Sequence, residues 1–203
     1  MKSVLISIQP KWCELIASGK KTVEVRKTRP KLETPFKVYI YCTMGGLPKH
    51  IYNENLEKES IYANHPDIIN GKVICEFVCD KVVEFENSMY EPEFDETSYL
   101  SCVGYDELAL YLGKNDVGYG WHISDLVIYD KPKELGEFYK YTEYDNSNND
   151  FRPCRWCEHN KFDWSENCEY CDIDFDGEHC IHLQMKRPPQ SWCYVESVGD
   201  DNA

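Results

Sequence analysis

The sequence predicts a mixed α+β fold, mainly β, in which short strands build a small barrel with two or three short helices and a cysteine-rich insertion. Three observations predict it. Runs of β-branched and aromatic residues recur at 3–8, 36–42, 71–85 and 119–129, helical periodicity is confined to short segments, and two Cys-x-x-Cys pairs stand in a polar stretch near the C-terminus. Short strands separated by turns favour a barrel over a doubly wound parallel sheet.

Ser3 to Ile8 reads as the first strand, and Pro10-Lys11-Trp12 opens a helix, because proline is tolerated where its missing N–H has no partner to lose. Trp12, Leu15 and Ile16 share one face of that helix. Gly19 ends it where a left-handed cap is usual, and Lys20 to Lys27 alternates into a strand with Val23 and Val25 facing the core. Thr22, Glu24 and Arg26 then share the opposite face, with an acid and a base side by side. Further strands are expected at Phe36 to Cys42, Gly71 to Phe85 and Tyr119 to Tyr129, and a helix at Tyr105 to Leu112. Between Thr43 and Asn70 the chain is polar, with Gly45-Gly46 and Asn64-His65-Pro66 as turn signals, a long excursion of the kind that lines sites.

The expected organisation is a barrel over 1–143, a cysteine-rich insertion over 144–184, a strand returning to the barrel over 185–198 and a tail over 199–203. The polar run Tyr144 to Asp150 marks the first boundary, and Pro188-Pro189 precede the strand-like Gln190 to Glu196.

A chain of 203 residues can bury one good core, and 42% hydrophobic, 14% aromatic and 29% charged residues exclude a disordered or fibrous protein. The net charge of -14 repels a polyanion from the molecule as a whole. Residues 1–40 run the other way, with nine basic residues against three acidic, a balance of +6 that leaves -20 for the remainder. A basic N-terminal face on an acidic body points to a confined anion site, scattered solvated lysines being the plain alternative. No run approaches the roughly 18 apolar residues of a membrane helix, and the N-terminus lacks a secretory apolar core, so a cytoplasmic protein with no membrane partner is expected. Eleven cysteines in a reducing compartment then read as thiols or metal ligands rather than disulfides.

Two constellations carry chemistry. The first is Gly19-Lys20-Lys21-Thr22-Val23-Glu24-Val25-Arg26, preceded by Pro10-Lys11-Trp12. Arg26 offers a planar fork for a phosphate or carboxylate, and Lys21 a compact cation that can act as acid, base or nucleophile when desolvated. Glu24 between them can orient the lysine, accept from an exocyclic amine or activate water. The bland reading is an exposed pair of about 0 to 1 kcal/mol.

The second is Cys154-Arg-Trp-Cys157, ten residues, Cys168-Glu-Tyr-Cys171, and Cys180 after eight more. Two knuckles in a segment too polar to fold on its own core indicate a zinc ion held by Cys154, Cys157, Cys168 and Cys171, with Cys180, His159, His179 and His182 as alternative ligands. Four thiolates fill the shell, so the expected Zn2+ is structural. Cys13, Cys42, Cys75, Cys79, Cys102 and Cys193 lie in strand or helix patterns and read as core thiols.

The spacing of Gly19, Lys21, Glu24 and Arg26 resembles the Gly-x-Lys-x-x-Glu-x-Arg signature of the ASCH family, a branch of the PUA-like barrels. Tyr119-Gly120-Trp121-His122-Ile123 and Pro188-Pro189-Gln190-Ser191-Trp192 resemble segments of phage and bacterial ASCH proteins of this size. The resemblance implies a PUA-like β-barrel that binds RNA or a nucleotide in the cleft beside the motif. Some small relatives are hydrolases that remove the acyl group from acetylated cytidine, and others have been described as ribonucleases. In the amidohydrolases the lysine matching Lys21 is catalytic, with a threonine where this chain has Glu24 and a glutamate from a later helix, a place Glu107 could take.

Lys21 and Glu24 are therefore the candidate catalytic residues, and Lys21, Thr22, Glu24, Arg26, Trp12, Tyr119, Trp121 and His122 the candidate ligand-binding set. Trp12, Tyr119 and Trp121 could stack on bases, an interaction of roughly 1 to 3 kcal/mol each. The partner expected is a nucleotide, a modified nucleoside or a short single-stranded RNA. The rivals are a hydrolase acting on a modified nucleoside or an RNA phosphodiester, and an acidic module that binds a protein through its body or zinc arm.

Overall fold

The computed structural model describes residues 2–44, 70–88, 90–141 and 184–198. Eight strands are described: β1 (Lys2–Ile8), β2 (Val23–Arg26), β3 (Phe36–Cys42), β4 (Val73–Cys79), β5 (Val82–Glu86), β6 (Val117–His122), β7 (Ser124–Lys133) and β8 (Trp192–Glu196). Three helices accompany them: α1 (Pro10–Ala17), α2 (Pro92–Ser101) and α3 (Tyr105–Leu112). The class is α+β and mainly β, as expected. The described strands form two sheets and do not close into one barrel: a five-stranded sheet in the order β7-β4-β3-β1-β8 and a three-stranded sheet in the order β2-β6-β5.

The reason lies in two runs that read as single strands. Gly71 to Phe85 breaks at Asp80-Lys81 into β4 and β5, and Tyr119 to Tyr129 breaks at Ile123 into β6 and β7, so each run feeds both sheets. Chains that switch sheets through a bend make the corners of such packings. Beyond the second corner Asp125 takes a left-handed φ of 44°, and the β4–β7 register shifts between Glu76 and Val78, as a bulge requires. Strand β8 pairs antiparallel with β1 at the edge of the larger sheet.

Helix α2 has no counterpart in the sequence reading, although Pro92 opens it and Glu93 and Asp95 favour its first turn. Its apolar face is thin. Only Phe94 among its buried residues is large, and that ring packs edge-on to Phe85 at 6.0 Å.

Alternation along the strands sorts the core into three layers. Val4, Ile6, Ile8, Val38, Ile40, Phe77 and Trp121 fill one side of the larger sheet, and Leu5, Tyr39, Tyr41, Phe138, Met185 and Val195 fill its other side. Val25 and Phe85 meet α2 and α3 through Phe94, Leu108 and Leu112. Gly118 allows that close approach, since a Cβ there would stand 2.5 Å from the Phe85 ring and 3.0 Å from Leu112.

Cys13, Cys42, Cys75 and Cys79 are buried thiols as expected, whereas Cys102 and Cys193 are only half-buried. Cys102 is no core residue: it caps α2 from outside the helix. Residues 144–183, with Cys154, Cys157, Cys168, Cys171, Cys180 and the histidines that could complete a zinc shell, lie outside the described residues, as does nearly all of the excursion over 43–70.

A buried charge triad as candidate functional site

The site begins where α1 ends. Gly19 adopts φ 72°, and the Ser18, Gly19 and Lys21 N–H groups close on the carbonyls of Glu14, Ile16 and Leu15. This cap turns the chain sharply into β2. The four residues of β2 are all buried, because the α2–α3 layer covers one face and the larger sheet covers the other.

Glu24 and Arg26 stand opposite Trp121 and Tyr119 in the antiparallel pair with β6, so they share the face that looks toward the larger sheet. They form no exposed pair. Lys21 keeps only 2% of its side chain exposed and Glu24 only 8%. One Glu24 oxygen accepts from Lys21 Nζ at 3.3 Å and the other from Arg26 Nη2 at 3.0 Å. Lys21 also donates to the Ser101 carbonyl at 2.8 Å, and Arg26 Nη2 to the Ser7 carbonyl at 2.7 Å. Each Glu24 oxygen thus accepts from one cation, and the cluster of two cations and one carboxylate carries a formal charge of +1.

Two donors are left over. Arg26 Nε and Trp121 Nε1 are buried without a hydrogen-bond partner among the described residues, a condition that costs about 1–3 kcal/mol for each group. Trp121 is otherwise a core residue, fully buried and packed edge-on by Phe36 at 5.9 Å and Trp192 at 6.0 Å. Its ring is committed to packing, which removes it as a stacking platform. What it presents is an N–H.

Toward solvent, the triad continues through α1 to α3. Lys21 Nζ lies 5.2 Å from the Trp12 ring centroid, Lys11 Nζ lies over the same ring at 4.1 Å, and Lys11 pairs with Glu107 at 3.1 Å. Glu107 thus stands at the rim of the site. Tyr111, one turn further along α3, was missed by the sequence reading, although Glu107 and Tyr111 at i and i+4 must share a helix face. Burial pushes the Tyr111 phenol up; the Arg26 guanidinium opposes that shift and the Glu24 charge adds to it. Glu24 also contributes to the raised Cys13 thiol, after the larger effects of burial and the neighbouring Cys42.

The structure brings together Lys21, Glu24, Arg26 and Trp12. Thr22 is half-buried beside them, its N–H bound to the Leu100 carbonyl and its carbonyl accepting from Ile123. Tyr119 is half-buried across from Arg26. His122 is not brought in. It stands opposite Val23, on the other face of the strand pair, and binds Asp80 at 2.6 Å; that bond, more than any other effect, holds the Asp80 carboxyl below its ordinary range.

Residues 6–96, which include every member of the triad, match the family model of the ASCH domain. That match spans less than half of the chain. Among solved structures it is similar to ASCH from Zymomonas mobilis, at 17% identity over 66% of this chain and 73% of that one, with a TM-score of 0.47. Two single-substitution variants of that protein are similar at the same identity and share of this chain, with TM-scores of 0.48 and 0.47 over 77% and 74% of their own lengths. No curated protein sequence matches. No helix among the described residues is long and apolar enough to cross a membrane, and no group of three or more metal-ligating side chains is found among them.

Proposed function

We propose that this chain is an ASCH-type protein that binds a nucleotide, a modified nucleoside or a short single-stranded RNA at the Lys21–Glu24–Arg26 triad. The observation that carries the reading is the pair of unpartnered buried donors, Arg26 Nε and Trp121 Nε1, on the face that bears the triad. Buried donors are normally satisfied. A ligand group rich in acceptors, such as a base carbonyl or a phosphate oxygen, would satisfy them and would suit the +1 cluster. The acidic body disfavours long RNA, because several phosphate contacts are needed to overcome net repulsion.

The second reading is a hydrolase acting on a modified nucleoside. It is favoured by Glu107, which the Lys11 pair holds at the rim beside Trp12 and Lys21. Lys21 and Glu24 would act at the reacting centre and Glu107 would exchange protons with solvent. For the segment over 144–184 the reading includes a structural Zn2+ on Cys154, Cys157, Cys168 and Cys171, or on Cys180 in place of one of them. Metal analysis of the intact protein is expected to find one zinc per chain.

The test is a mass-spectrometric survey in which the four ribonucleoside 5′-monophosphates, acylated nucleosides and short RNAs are incubated with wild type and with Lys21→Ala. Retention without turnover that is lost in the variant supports the binding reading. Product formed only by wild type makes the protein an enzyme, and neither signal favours the acidic protein-interaction module.

A further inference from the structure

The Lys20–Thr22 loop is fastened, residue against residue, to the end of α2. The Thr22 N–H donates to the Leu100 carbonyl at 3.0 Å, Lys21 Nζ to the Ser101 carbonyl at 2.8 Å, and Cys102 Sγ to the Lys20 carbonyl at 3.3 Å. The last four carbonyls of a helix have no partner inside it and form the negative end of its dipole. Here each is accounted for. Cys102 and Val103 N–H groups close on Tyr99 and Ser98, and the remaining two carbonyls, Leu100 and Ser101, serve the loop that carries the triad lysine.

This division depends on Cys102, which takes φ 56° and ψ 24°. Glycine is the usual residue at such a cap, and a side chain there costs roughly 1–2 kcal/mol. The left-handed turn folds the chain back over the helix end and leaves the Ser101 carbonyl facing β2. Lys21 is meanwhile tied at its other end, since its own N–H caps α1 through Leu15. The lysine is strung between two helix C-termini.

We infer that Cys102 is a positioning residue, whose left-handed turn aims the Ser101 carbonyl at Lys21 and holds the ammonium against Glu24. The consequence for ligand rests on the reading that Lys21 contacts it, whereas the placement of the ammonium can be observed without any ligand.

The experiment uses the full chain with 15N-labelled lysine. A buried, hydrogen-bonded ammonium exchanges slowly and gives its own 1H–15N signal, which Lys21→Met assigns by its disappearance. The signal is expected in wild type, kept in Cys102→Gly, which reaches the left-handed region freely, and lost in Cys102→Val, where a β-branched side chain resists it. In the same set, affinity for the ribonucleoside monophosphate retained best by wild type should fall about tenfold or more in Cys102→Val, the effect of losing one buried charged hydrogen bond, and return in Cys102→Gly. Persistence of the ammonium signal in Cys102→Val overturns the inference, and so does its loss in Cys102→Gly, which would assign the effect to the thiol. Should Cys102→Val fail to fold, a wild-type Lys21 ammonium that exchanges as fast as that of exposed Lys31 overturns it as well. Absence of binding by wild type, with the ammonium signals as expected, removes the ligand reading and leaves the positioning role standing.

Discussion

Two glutamates in this molecule each bind a lysine and one further donor, and they differ in what surrounds them. Glu24 lies on the inner face of β2, paired with Lys21 and Arg26, both nearly without solvent. Glu76 lies on β4, where it accepts from Lys37 at 2.8 Å and from the Tyr129 hydroxyl at 2.6 Å. Lys37 keeps 28% of its side chain exposed. The Glu76 cluster can lean on water and is satisfied by a neutral phenol, whereas the Glu24 cluster holds two cations to one anion beside an unused Arg26 N–H. Similar pairings are shared with solvent in one place and sealed from it in the other.

Removing the charge is the harshest test of that contrast. Glu24→Gln leaves two buried cations without a counter-ion and is expected to destabilise the fold by about 3–5 kcal/mol, read from urea unfolding. A loss below about 1 kcal/mol would mean that the triad is hydrated in solution and the contrast false. Glu76→Gln, with water within reach of its lysine, should lose about 1–3 kcal/mol in the same measurement. Equal losses at the two sites would break the comparison.

Thiols sharpen it by testing how dry the core on the two sides of the larger sheet is. Burial pushes the Cys79 thiol up to about 12 from 9.0 and the Cys193 thiol up to about 11, and it raises Cys13 and Cys75 strongly. Below pH 9 folded and unfolded chains both keep these protons, so the contribution is complete. Between pH 9 and about 12 the unfolded chain releases protons that the folded chain holds, and stability falls as pH rises. The urea midpoint should therefore decline above pH 9, less steeply in Cys79→Ala. A flat profile would show that the thiols are solvated.

The smallest effect is expected at the corner of the sheets. Asp80 and His122 are each close to half exposed, and an exposed pair contributes about 0–1 kcal/mol. His122→Asn should leave unfolding nearly unchanged and ligand retention intact, because His122 faces away from the triad. Loss of retention in this variant would move the site to the other face of β2.

Much of this was legible in the chain, and the failures have physical causes. The period-2 pattern from Lys20 to Lys27 placed Glu24 and Arg26 on one face, and the glycine at 19 announced the turn that delivers Lys21. Alternation cannot say what covers a face, so a buried triad read as a surface pair until the larger sheet was seen across from it. Trp121 and His122 looked alike as neighbours of the motif; register put the first into the core and the second on the far side. The runs 71–85 and 119–129 concealed their corners because both halves are apolar enough to be strand. Helix α2 went unseen because it buries Phe94 but little else of size, and with it went the carbonyl that holds Lys21.

Local periodicity and turn chemistry act over a few residues, and they were enough for the α+β class, the strands β1 and β3, the helix α3 and the spacing of Gly19, Lys21, Glu24 and Arg26. Tertiary structure alone decided that the charges are buried, that Glu107 and Tyr111 reach the rim, and that the end of α2 meets the Lys20–Thr22 loop. Those contacts join residues about 80 positions apart, and no local pattern records which distant carbonyl a lysine will find.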